Sequence, residues 1–352
     1  MTNFFINGLG VYGRAIAKWL ITSGLDASVH FNDSNYSGNT DPLAYLLNYD
    51  TWNMGSSFYT AGTDSLDSFS VETSTSGENY VMYNGQRYFL TFAESISDIQ
   101  AAAHESDSKV YIDCTGKYLE GDLVSLLGSP FNWVFAFPKS YNRNGQIYSY
   151  STSGSLDSSS LVQIASPELM ALSIALQGIG NNLSVDSINY NCFVSMGNSL
   201  FVQDSMGTAS TSNFSLGRSS LNVIRRSDGM QKLLTKTVPS FPTGITTGRS
   251  FYVPMARCGV LSLTITTNRT TTQEEINQML SSFTSTTYVT CEESSYPVSS
   301  DVLNTNGFVL ISKNGTQLIP ISSGSSITMD VIFDNTYKYI QMLCNEIYNA
   351  VQ

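Results

Sequence analysis

Gly8-Leu9-Gly10-Val11-Tyr12-Gly13, followed by Asp33, is the strongest chemical signature in this 352-residue chain. Glycines at this spacing suit a pyrophosphate. The first permits a tight turn, the second lets the backbone approach the phosphates, and the third lets a helix pack close to the preceding strand. The helix N-terminus then faces the negative charge. Asp33 stands about twenty residues beyond Gly13, where a carboxylate accepts hydrogen bonds from a ribose 2′-hydroxyl. Its charge repels a 2′-phosphate, so NAD is favoured over NADP.

Other reactive side chains are sparse. The five cysteines, Cys114, Cys192, Cys258, Cys291 and Cys344, are scattered and form no CxxC pair. Neither a zinc site nor a disulfide framework is expected, and no metal site is assigned. The two histidines, His30 and His104, both fall in the first half. A serine or cysteine nucleophile in the second half therefore has no imidazole base.

The elements that must position the glycine turn can be read directly. Phe4-Phe5-Ile6 is a short apolar run, expected as a buried strand. Arg14–Ser23 reads as a helix with Ile16, Trp19 and Leu20 on one face, stopped by Gly24. Ser28–Phe31 is a second strand leading to Asp33. Strand, glycine turn, helix, strand and acid together predict a Rossmann fold. Further on, Tyr80–Tyr83 and Arg87–Leu90 flank an Asn-Gly turn, the pattern of a hairpin. Lys109–Asp113 and Trp133–Phe137 read as buried strands. Ser166, Pro167 and Glu168 suit the N-cap and first turn of a helix. Beyond it, long alternating strands follow at Ser184–Met196 and Cys258–Thr267. A capping box from Thr272 to Glu275 opens another helix. Phe333–Gln352 is expected as a terminal helix.

Composition narrows the function. Charged residues make up 13% of the chain, against a usual ~25%, and the net charge is −11. That excludes a phosphate backbone as partner, so no nucleic acid is expected. With no run of 18 apolar residues and no signal-like opening, no membrane partner is expected and the compartment is expected to be cytoplasmic. A surface of Ser, Thr, Asn and Tyr with few Lys and Glu is easily desolvated, which suits dense protein packing.

The chain resembles the glyceraldehyde-3-phosphate dehydrogenase family nearly end to end. Ile6 to Arg14 resembles that family's INGFGRIGR, and Asp113-Cys114-Thr115-Gly116-Lys117 its E-[SC]-T-G-F. Leu216-Gly217-Arg218 with Asn222 resembles R-G-R…QNII, and Val298–Asp301 resembles VSSD. Phe251-Tyr252-Val253-Pro254 stands at FRVP, and Phe333–Tyr339 at YDNEFGY. The resemblance implies an α/β protein with an N-terminal Rossmann domain, residues 1–165 and 333–352, on which the C-terminal helix packs back. It also implies an α+β second domain with a mainly antiparallel sheet, residues 166–332, and a homotetramer. Its NAD-binding positions are Asn7, Gly8, Gly10, Val11, Tyr12 and Gly13 at the pyrophosphate, Asp33 at the ribose, Thr115 and Gly116 beneath the cofactor, and Asn335 at the nicotinamide carboxamide.

The same resemblance exposes what is missing. The catalytic cysteine position is Pro167 and the catalytic histidine position is Asn191. Cys192 neighbours Asn191 but must point to the opposite face of a strand, so it is expected in the core. The substrate-phosphate positions become Tyr252, Val194 and Asp228. A carboxylate ~4 Å from a phosphate repels it by ~4 kcal/mol at an effective dielectric of ~20. Arg225 and Arg226 either offset Asp228, form an ion pair, or build a different anion site. The expectation is an inactive relative used as a structural or assembly component of a coat, filament, lattice or virion, assembled in the cytoplasm. An NAD-binding pseudoenzyme that acts as a sensor or interaction module is the alternative. An NAD-dependent oxidoreductase with relocated catalytic residues is the third.

Overall fold

In the computed structural model, the described residues are 1–49, 68–137, 146–148, 156–180, 183–195, 223–226, 229–238, 241, 244–255, 257–283, 288–294 and 297–352. Leu216, Gly217, Arg218, Asn222 and Asp228 lie outside them. The chain divides into two units. The first holds Met1–Tyr148, Thr152–Ala165 and Ile340–Gln352; the second is built on Ser166–Tyr339.

The first unit is a sheet of nine described strands: β1 (Thr2–Asn7), β2 (Ala27–Asn32), β3 (Ser70–Thr73), β4 (Asn79–Tyr83), β5 (Gln86–Thr91), β6 (Val110–Asp113), β7 (Trp133–Ala136), β8 (Gln146–Tyr148) and β9 (Val162–Ile164). Their order is β3-β4-β5-β2-β1-β6-β7-β9-β8, and all pairs from β5 to β8 are parallel. Helices α1 (Val11–Thr22), α2 (Asp41–Tyr49), α3 (Ile96–Glu105) and α4 (Glu120–Val124) belong to this unit. Phe4, Phe5 and Ile6 are fully buried because a central parallel strand is covered on both faces. The β4–β5 hairpin turns at Asn84 and Gly85, both with positive φ. Those angles fit a primed turn, which asparagine and glycine tolerate best. The order of strand addition reverses at β1, whose parallel neighbours β2 and β6 lie on opposite sides, and ligands bind beyond the strand ends at such a point.

The second unit carries helices α5 (Pro167–Gly180), α6 (Met230–Thr237) and α7 (Gln273–Phe283). Its strands are β10 (Val185–Ser195), β11 (Ile224–Arg226), β12 (Thr246–Val253), β13 (Gly259–Thr267), β14 (Val289–Glu292), β15 (Val309–Ser312), β16 (Gln317–Ile321) and β17 (Gly324–Phe333). The sheet order is β11-β12-β10-β13-β17-β15-β14, with β16 paired to β17, and its long central pairs are antiparallel. Alternation sets the core. Ile188, Tyr190 and Cys192 on β10 stand in register with Ile265, Leu263 and Leu261 on β13. These in turn face Ile327, Met329 and Val331 on β17, and all nine are buried. The apolar α5 packs on β13 and β17.

The terminal helix α8 (Tyr337–Val351) starts four residues later than the apolar pattern predicts. Phe333 ends β17 instead. The Asp334 carboxylate accepts hydrogen bonds from the N–H groups of Thr336 and Lys338, so it caps the helix and separates strand from helix. From Ile340 onward the helix belongs to the first unit.

Candidate functional site

A cavity of 420 Å³ opens beyond the C-terminal ends of β1, β2, β5 and β6. Its lining includes Asn7 at the end of β1, Gly8 and Gly10 after it, Asp33 after β2, Glu94 after β5, and Thr115 and Lys117 after β6. All of these lie in the first unit.

The glycines earn their positions through space. Gly8 has φ +89°, and a Cβ there would lie 2.6 Å from the Thr115 methyl group. A Cβ on Gly13 would lie 1.9 Å from the Gly8 carbonyl oxygen, so α1 sits against the turn as only glycine allows. Gly10 differs: nothing stands within 4 Å of its absent Cβ. It precedes α1 without any side-chain cap, leaving backbone open beside the cavity. Val11, Tyr12 and Gly13 form the first turn of α1; Tyr12 stacks on Phe137 with ring centres 5.1 Å apart. Gly116 takes φ +58° in the loop after β6.

Asp33 is locked to the glycine turn. Its Oδ2 accepts from the Leu9 N–H at 2.7 Å, while Oδ1 accepts from the backbone and side-chain nitrogens of Asn35, each at 2.9 Å. A carboxylate oxygen takes about two hydrogen bonds, so Oδ2 keeps one acceptor position.

Behind the cavity runs a buried polar network. Asn7 donates to the Tyr111 hydroxyl at 2.7 Å and to Asp113 at 3.4 Å. Asn32 donates to Asn7 at 2.7 Å and accepts from the Thr91 hydroxyl at 2.8 Å. Thr115 donates its hydroxyl to Asp113 at 2.8 Å and accepts from the Lys117 N–H at 3.0 Å, which shapes the loop at the cavity wall. Burial pushes the Asp113 carboxyl up to about 6, and the Thr115 and Asn7 hydrogen bonds only partly offset this. The neighbouring Cys114 thiol is held far above its ordinary value by burial and by Asp113, so it stays protonated.

A native pKa above the unfolded value of 3.8 means that the folded state binds the proton more tightly. Stability therefore falls as pH rises from 3.8 through about 6, then levels off. Asp113→Asn is expected to remove that fall, worth about 3 kcal/mol at most. Urea titrations of both proteins at pH 4 and pH 7 check it; an unchanged pH difference would refute the assignment.

The second unit holds the positions that the resemblance ties to catalysis. Pro167 opens α5 and has no nucleophilic atom. The adjacent Glu168 is buried and pairs with Arg226 of β11. The Arg226 guanidinium lies 5.1 Å from the ring centre of Tyr252. Burial disfavours its charge, yet Glu168 more than compensates and drives its pKa upward. Asn191 is exposed on β10, whereas Cys192 and Val194 are buried on the opposite face. Asn335 accepts from the Cys258 N–H at 3.1 Å and donates to the Ser195 hydroxyl at 2.8 Å. Both ends of its carboxamide are thus engaged within the second unit. Among the described residues, no cluster of three or more His, Cys, Asp or Glu could hold a metal.

Sequence reasoning misses two of these features. Glu168 reads as a dipole partner of α5, although its mate lies 58 residues away. The Thr91 hydroxyl also lies 2.8 Å from His30 Nε2, and this His30–Thr91–Asn32 chain needs the β2–β5 register, which no local pattern supplies. Lys117, which replaces the aromatic residue of the motif it resembles, reads from the sequence as an isolated, solvated charge near the cofactor side; it is exposed and belongs to the cavity lining.

Residues 187–331 match the family model for the glyceraldehyde 3-phosphate dehydrogenase C-terminal domain. They run from β10 into β17. A comparison with curated proteins found no match.

Proposed function

We propose that this chain, related to the glyceraldehyde-3-phosphate dehydrogenase family, is catalytically silent and serves as a structural or assembly component. One observation carries the reading: the α5 N-terminus offers Pro167, and the next side chain, Glu168, is closed onto Arg226. A thiolate at a helix N-terminus is stabilised by the dipole, but a proline ring has nothing to ionise. Asn191 accepts no proton at neutral pH. The nearest thiol in sequence, Cys192, is fully buried.

Assembly is supported by the surface. Few charges need to be desolvated, and Tyr45, Tyr49, Leu119, Val223, Val298 and Ile319 are each more than half exposed in the single chain. A homotetramer that packs further, in a coat, filament, lattice or virion, buries such side chains. Sedimentation velocity and negative-stain imaging of the purified full chain test this. The expected result is a tetramer that forms larger ordered particles as concentration rises; a monomer at all concentrations overturns it. No described helix is long and apolar enough to cross a membrane.

The cavity favours a second reading, a nucleotide-binding pseudoenzyme. Gly10 leaves its backbone open and Asp33 retains an acceptor, so the described residues fit the adenosine diphosphate half of NAD. Binding to the native state alone raises apparent stability by ~2.7 kcal/mol at a hundred times Kd. An upward melting shift with NAD supports this reading, and none at millimolar NAD rejects it.

A further inference from the structure

We propose that the open face of the second unit's sheet binds the same face of another copy about a two-fold axis, with Arg249 of each copy paired to Asp330 of the other. This rests on the assembly reading above and names its surface and its partner. The strand register carries it. On the face opposite the buried Ile188, Tyr190 and Cys192, Arg249 of β12 stands beside Asn191 of β10. Asn191 stands beside Ser262 of β13, and Ser262 beside Asp330 of β17. Four neighbouring strands thus form one row, cationic at one end and anionic at the other. Arg249, Asn191 and Asp330 are exposed. Adjacent strands lie ~4.8 Å apart, so about 14 Å separates the two charges along the row. Side chains stand roughly perpendicular to a sheet, so the two do not meet within one chain. Among the described residues, neither has an ion-pair partner.

A two-fold axis along the strands, between β10 and β13, exchanges the ends of that row. It lays β12 of one copy on β17 of the other, and each Arg249 then faces the other copy's Asp330, twice per interface. The flanking rows tolerate the same exchange. Phe251, Phe193, Val260 and Ile332 form an apolar row, in which the axis lays Phe251 on Ile332 and Phe193 on Val260. Phe193 and Phe251 stack with ring centres 5.7 Å apart, yet neither is fully buried in the single chain. On the other side Thr247, Asn189, Thr264 and Thr328 form an uncharged row. Aligned sheets pack in this way with their strands within about 30° of each other. Strands β12, β10, β13, β17 and β16 cover roughly 700 Å² at ordinary strand spacings. That is close to the ~800 Å² per partner of a stable complex.

Charge reversal, read by sedimentation velocity of the full chain, tests this. Arg249→Asp sets acid against acid, and Asp330→Arg sets base against base. Each single variant is expected to self-associate at least tenfold more weakly and to sediment at half the unmodified size or less. An equimolar mixture of the two is expected to restore the unmodified size, because the acids of one then meet the bases of the other. The double variant is expected to do the same by itself. Restoration also shows that both single variants are folded. Single variants that sediment like the unmodified chain, or a mixture and a double variant that stay dissociated, overturn the inference; association of the unmodified chain then keeps the assembly reading. An unmodified chain that is monomeric at all concentrations overturns both.

Discussion

Acidification from pH 6.5 toward 3 is expected to remove up to about 5 kcal/mol of stability through one residue, His30. Its ring is buried, 4.4 Å from Phe5 and 5.7 Å from Phe89 between ring centres. The Thr91 hydroxyl donates to Asn32, so it accepts from His30 Nε2. That fixes the tautomer and leaves Nδ1 bare, with no partner among the described residues. A proton added there would be a buried, unanswered charge, and burial lowers the pKa from 6.5 to about 3. The unfolded chain takes up the proton near 6.5 and the folded chain only near 3. Stability is thus fully present above 6.5 and lost as pH falls. Asp113 works in the opposite direction between about 6 and 3.8 and blunts the loss in that window. His30→Phe keeps the aromatic packing and is expected to flatten the acid limb of urea-derived stability. An acid limb as steep as in the unmodified protein would remove His30 from the account.

Breaking the Glu168–Arg226 pair from one side is expected to cost 3–5 kcal/mol, because it strands a buried charge. Glu168 has only 6% of its side chain exposed and Arg226 has 22%, so water restores little of the lost attraction. Arg226→Met leaves the Glu168 carboxylate among the buried residues of α5. Among the described residues, Glu168→Leu leaves the guanidinium beside the Tyr252 ring without its ion-pair partner. The double variant is expected to recover most of the loss, since an apolar pair of similar volume needs no compensation. Denaturant midpoints of the two single variants and the double variant close the cycle. Additive losses would mean that the ion pair does not organise this end of α5.

Much of the fold is legible because it is written locally. The glycine spacing, the strand before it, the helix after it and Asp33 all fall within the first 33 residues. At Gly8 and Gly13 the spacing answers steric needs that glycine alone meets. The alternation of Ile188, Tyr190, Cys192 and Val194 likewise places Cys192 in the core without any knowledge of its neighbours. What stays hidden depends on register between distant segments. Thr91 reaches His30 and Asn32 only because β5 pairs with the end of β2. Glu168 meets Arg226 only because β11 is laid along β12, with Arg226 opposite Ser250. Phe333 falls in the stretch expected as the terminal helix, yet Asp334 caps the helix and leaves Phe333 in the strand. Asn335 meets the N–H of Cys258 across 77 residues of sequence, at a residue whose positive φ is rare for one that bears a side chain.

The most direct test is turnover itself. Purified full chain at micromolar concentration, given NAD, phosphate and glyceraldehyde 3-phosphate, is monitored for the absorbance of reduced cofactor over hours. With Pro167 and Asn191 in place of a thiolate and its base, the expected trace is that of the protein-free blank. Enzyme-dependent reduction that scales with protein concentration and is lost on Cys192→Ser would contradict the account.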